Sequence, residues 1–172
     1  MTRSGSLSLL LPGLILVIAT LAAAMPWGPP VWLKPVMPLL PYAVAHFWTE
    51  RRERAMPDWL VFLAGLETDV LGQGPLGYWA LVFLAGYVMV RQASTEGRPW
   101  WIASIGFYAL TAGALVPLQW LVSSLYYLQP ADIAPLLTAA ATSVGFYAAL
   151  VLLVPVANGQ TRRFNDRLER GA

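Results

Sequence analysis

Glu67 and Asp69 are the only acids set inside an apolar segment, two residues apart. A carboxylate placed inside an apolar span is costly enough to require a partner or a task. On a helix this spacing sends the two side chains about 200° apart, so they do not form a paired acid and base. Asp69 has two readings. It accepts hydrogen bonds from backbone N–H groups of the turn Gly72–Gly77, holding a hairpin together in lipid, or it contacts a ligand or ion directly. His46 is the only histidine and there is no cysteine. Disulfides, thiol catalysis and cysteine metal sites are excluded, and one isolated imidazole is a weak metal or proton-transfer signal. It is expected at the cytoplasmic interface beside Trp48. Ser104, Ser123, Ser124 and Ser143 lie apart without a nucleophile elbow, which suits bonding to helix carbonyls or to neighbouring helices. No catalytic, metal-ligating or cofactor-binding residue is assigned, and an enzyme is not expected.

The composition says what kind of elements position these residues. The chain has 172 residues, 58% hydrophobic and 12% charged, with a mean hydropathy of +0.58. Residues 99–131 and 133–161 contain no charged side chain. About 20 apolar helical residues cross a bilayer core roughly 30 Å thick. The expected fold is therefore an all-α polytopic membrane protein with six transmembrane helices, at about 7–25, 36–48, 57–71, 76–90, 100–128 and 133–157. They form one transmembrane domain ending in a short basic tail, 158–172, which leaves no room for an extramembrane catalytic domain of ordinary size. The second span is short and carries Pro38 and Pro41, so it is expected to start extended and become helical after Pro41. Pro57 suits the first turn of the third helix, and Asp58 suits the positive end of its dipole.

All ten arginines fall in the amino terminus, the second-to-third loop, the fourth-to-fifth loop and the tail. The other three loops hold only Lys34. By the positive-inside rule this segregation predicts six spans with both termini cytoplasmic. Arg3, the leucine-rich run and Ala22–Ala24 imitate a signal peptide, but the apolar segment is longer than a usual signal core, so a span is expected. The net charge of +2 and pI near 9.2 come without a basic stripe interleaved with aromatics, so they mark topology rather than nucleic-acid binding.

Ala19 and Ala23 in the first span, and Gly106, Ala109 and Gly113 in the fifth, provide small surfaces for close helix approach, either within the bundle or to a partner's span. In the tail, Phe164 and Leu168 are four residues apart among Arg162, Arg163, Arg167 and Arg170. Such a helix suits the anionic inner leaflet, and equally a solvated charged end.

The run Gly65-Leu66-Glu67-Thr68-Asp69-Val70-Leu71-Gly72-Gln73-Gly74-Pro75-Leu76-Gly77 resembles the rod shape-determining protein MreD family. Members show a glycine, an aspartate four residues later, a small-residue turn and Pro-Leu-Gly leading the next span. A short proline-bearing span and an arginine-rich loop, here Glu50-Arg51-Arg52-Glu53-Arg54, precede it similarly. Glu67 replaces a usual apolar residue, and Gly72-Gln73-Gly74 a more usual Ser-Gly step. The resemblance implies a structural hairpin built on Gly65, Asp69, Gly74, Pro75, Leu76 and Gly77. It also implies a bacterial inner-membrane scaffold that binds MreC and works with MreB, RodA and a class-B penicillin-binding protein in lateral peptidoglycan synthesis. It further implies a fold like the substrate-binding subunits of energy-coupling-factor transporters. That likeness supplies the alternative, a small-molecule or vitamin-binding transport subunit, which would need several convergent buried polar groups where the sequence offers few.

Overall fold

The computed structural model describes residues 4–24, 34–51, 56–93 and 101–170, with side chains over 12–24, 36–50, 56–92 and 103–153. The only regular elements among the described residues are helices, without strands: α1 Ser4–Ala24, a 3₁₀ segment Lys34–Leu39, α2 Leu40–Arg51, α3 Asp58–Leu71, α4 Tyr78–Ala93, α5 Trp101–Tyr127 and α6 Ala134–Arg170. Within them, Ala103–Tyr127 and Ala134–Leu153 are long and apolar enough to cross a membrane, and Pro12–Ala24 is a shorter apolar helix. Before α2 the chain is 3₁₀ rather than extended, and regular helix begins one residue before Pro41, where a proline in the first turn forfeits no intrahelical bond.

Short as it is, α2 is the hub. Every residue from Pro41 to Phe47 is buried, and α2 packs against α1, α4, α5 and α6. Its Tyr42 ring lies so close to α4 that a Cβ on Gly86 would sit 2.4 Å from it, which is why only glycine fits there. Tyr42 also packs on Phe83 and Tyr108, and Tyr108 stacks on Tyr147 with ring centroids 4.2 Å apart. These rings join α2, α4, α5 and α6 into one core.

Helix α3 follows a helical period. Val61, Ala64, Gly65, Thr68 and Asp69 are buried, while Trp59, Phe62, Leu63, Val70 and Leu71 face outward. Pro57 opens it and Gly72 closes it, the Gly72 N–H donating to Thr68 O. Helix α5 closes on Leu128 in the left-handed region, at φ 53, with Gln129 N–H donating to Ser124 O. Large apolar side chains also stand exposed on α1, α4, α5 and α6, including Leu14, Ile18, Leu81, Val88, Leu110, Leu121 and Leu153.

Candidate functional site

The α3–α4 hairpin is organised by Asp69, whose residue is 0% exposed. Its Oδ2 accepts the Gly77 N–H at 2.8 Å and its Oδ1 accepts the Trp79 N–H at 2.8 Å. A helix start leaves its first N–H groups without intrahelical acceptors and carries a partial positive charge. One buried carboxylate answers both needs for α4 from the end of α3. The turn closes over this clamp: Gly72 N–H donates to Thr68 O, Gln73 N–H to Val70 O, Gly74 N–H to Asp69 O and Tyr78 N–H to Pro75 O. Gly77 has φ +92, a conformation glycine adopts without the Cβ penalty. Pro75 donates no N–H, and Leu76 projects outward, 76% exposed.

Gly65 explains why the arms can close. A Cβ there would sit 2.3 Å from Ala80 Cα and 2.5 Å from Ala80 N, so the backbones of α3 and α4 touch at that level. Glu67 points elsewhere, as its spacing from Asp69 requires. Its Oε2 accepts from Thr20 Oγ1 at 2.8 Å, tying α3 to α1. Thr20 has one hydroxyl hydrogen and also lies 2.8 Å from Val17 O, so the Glu67 bond competes with a local one. At the other end of the hairpin, Arg91 pairs with Asp58 at 3.1 Å, both exposed.

A second polar cluster joins α2, α5 and α6. Glu50 Oε2 accepts from the Tyr147 hydroxyl at 2.8 Å and from Ser104 Oγ at shorter range. His46 Nδ1 lies 3.2 Å from the Tyr147 hydroxyl, and Ser104 Oγ 2.9 Å from it. With the phenolic and serine hydrogens both directed at Glu50, the remaining hydrogen is His46 Nδ1–H, donated to the Tyr147 oxygen. Ser104 therefore faces a carboxylate and a phenol, and the four side chains tie α2, α5 and α6 together. The buried hydroxyls of Tyr42 and Tyr108 have no hydrogen-bond partner among the described residues.

This cluster corrects the expectation for His46. It is 1% exposed and ringed by Tyr42, Phe107, Tyr108 and Tyr147, inside the helix bundle rather than beside Trp48. The bundle also holds more buried polar groups than the sequence suggested, with Thr49, Thr111, Gln119 and Ser143 among them. Sequence reasoning missed Glu50 because it read as part of the arginine-rich loop. The available signal was helical spacing, since His46 and Glu50 are four residues apart and share a face. Ser143 bonds back to Ala140 O, and Ser124 accepts the Ala131 N–H.

The small-residue positions divide. Ala19 packs against the core and Ala23 is half-buried, whereas Gly106 and Gly113 are exposed and a Cβ on either would meet nothing within 4 Å. Those two glycines serve no close approach among the described residues. The tail is helical through Arg170, and the side chains of Arg162, Arg163, Phe164, Arg167 and Leu168 lie outside the described residues, as do Arg3 and residues 52–54. No group of three or more metal-ligating side chains occurs among the described residues. Comparison with family models, with curated proteins and with solved structures gave no match.

Proposed function

We propose that this protein is a non-enzymatic scaffold of the bacterial rod-elongation machinery, a six-span inner-membrane protein with both termini cytoplasmic that binds MreC and supports lateral wall synthesis. One observation carries the reading. Three positions of the MreD-like run have a physical task in the hairpin: Gly65 at the helix contact, Asp69 as a double acceptor, and Gly77 at positive φ. A hairpin that pairs the N–H groups of Gly72, Gln73, Gly74, Gly77 and Tyr78 internally suits a nonaqueous setting. Outward apolar side chains on α1, α3, α4, α5 and α6 support a lipid surround for more of the bundle than its two longest apolar helices. MreB, RodA and a class-B penicillin-binding protein belong to the same assembly, directly or through MreC. Deletion of the coding sequence tests the reading: rod shape and MreC localisation are lost and return with the wild-type chain. Normal shape and normal MreC after deletion overturn it.

A second reading has its own observation. The buried Tyr42 and Tyr108 hydroxyls, close to the His46–Tyr147–Glu50–Ser104 cluster, supply polar groups that a vitamin-binding transport subunit would use. The scaffold is preferred because four members of that cluster bond to one another rather than converge on a common space. Co-purification with an ATP-binding pair and a bound small molecule would favour transport.

A further inference from the structure

The helices differ in reach on one side of the bundle. Tyr42 of α2 packs on Phe83 of α4 and Tyr108 of α5, with centroids 6.2 and 5.7 Å away, which marks a common level. Toward the base of the hairpin, Arg91 of α4 lies eight residues below that level and Trp101 of α5 seven, about 12 and 10 Å at 1.5 Å per residue. In the opposite direction α4 starts only five residues away, at Tyr78, whereas α5 continues nineteen residues to Tyr127, about 8 against about 28 Å. The arm of α3 is equally short, thirteen steps from Asp58 to Leu71, or about 20 Å. A bilayer core is about 30 Å thick, and tilting a helix only shortens its reach.

The two ends of the hairpin fix how the shortfall is met. Its base carries the exposed Asp58–Arg91 pair, 64% and 51% exposed, and the short Asp58 side chain keeps that level at the membrane boundary. At the apex Gln73 stands exposed at φ 52, between Gly72 and Gly74, a polar side chain that seeks headgroups or water. Just below it Val70, Leu71 and Leu76 turn apolar side chains outward, where acyl chains suit them.

We propose that the α3–α4 face is a lipid-contacting surface that thins the bilayer beside it. Phospholipid covers it with hydrocarbon about 20 Å deep, against about 30 Å along α5, and the far headgroup layer steps down onto Gln73. A hydrophobic span shorter than the core draws the bilayer in at modest cost per ångström, and a hairpin clamped by a buried carboxylate is stiff enough to impose its length. This inference rests on the six-span reading.

The test uses the full chain, which contains no cysteine. Single cysteines at 62, 70 and 73 on the hairpin and at 110, 114 and 121 on α5 are spin-labelled, and each protein is reconstituted in dioleoyl-phosphatidylcholine vesicles. Collision with oxygen is compared with collision with a water-soluble nickel chelate. The expected result is an oxygen-dominated signal at 62, 70, 110 and 114, a switch to the chelate at 73, and at 121, about 30 Å from Trp101, a smaller chelate share than at 73. Oxygen dominance at 73 equal to that at 62 overturns the thinning, since it leaves a flat bilayer above a submerged turn. A chelate share at 121 equal to or above that at 73 also overturns it, since no step then separates the two faces. Chelate dominance at both 62 and 110 instead overturns the membrane-spanning reading itself.

Discussion

Replacing Asp69 isolates what the clamp contributes. The carboxylate accepts two backbone N–H groups, one on each oxygen, both at 2.8 Å, and the residue is 0% exposed. Asp69→Leu leaves both donors unmet in a buried site, and each costs on the order of 1–3 kcal/mol, so the expected loss is about 2–6 kcal/mol. Asp69→Asn keeps the carbonyl acceptor for one N–H and presents an amide to the other, so about 1–3 kcal/mol is expected, together with loss of the charge facing the α4 start. Glu67→Leu is the internal control. Thr20 then returns its hydroxyl to Val17 O, 2.8 Å away, and little stability is lost. Melting in detergent, followed by size-exclusion fluorescence, gives the order wild type, then Glu67→Leu, then Asp69→Asn, then Asp69→Leu. Equal melting for the two Asp69 variants would refute the acceptor argument. An Asp69→Asn protein that folds and captures MreC normally yet abolishes rod shape would show that the charge itself is needed.

Gly65→Ala should lower the melting point markedly, because the new methyl meets the Ala80 backbone at 2.3 Å and the arms must separate, whereas Gly106→Leu should leave melting unchanged and, if that glycine receives a partner helix, reduce MreC capture. Tyr147→Phe removes a donor to Glu50 and the acceptor for His46, with an expected loss of about 1–3 kcal/mol per unmet group, read by the same melting assay. Leu128→Gly should raise stability by roughly 1 kcal/mol, since Leu128 holds φ 53 with its side chain 88% exposed.

Local chemistry was legible in the sequence where one segment contains both partners. Asp69, the glycines after it and Pro75 lie within a dozen residues, so the need of α4's first N–H groups for an acceptor could be read directly. The same holds for Pro57 opening α3 and Gly72 closing it. What was not legible depends on which helices become neighbours. His46 meets Tyr147 across 101 residues, and Ser104 meets Glu50 across 54. A histidine near an arginine-rich loop reads as interfacial until α5 and α6 close over it. The tasks of the glycines were equally hidden, since Gly86 fits against a ring while Gly106 and Gly113 face open space, and their sequence contexts look alike.

The measurement that bears most directly on the scaffold assignment is affinity capture of the full-length protein from native membranes in mild detergent, with mass spectrometry of what stays bound. The account predicts MreC in the eluate, retained by Glu67→Leu. An eluate without MreC that instead contains an ATP-binding pair and a bound vitamin would contradict it.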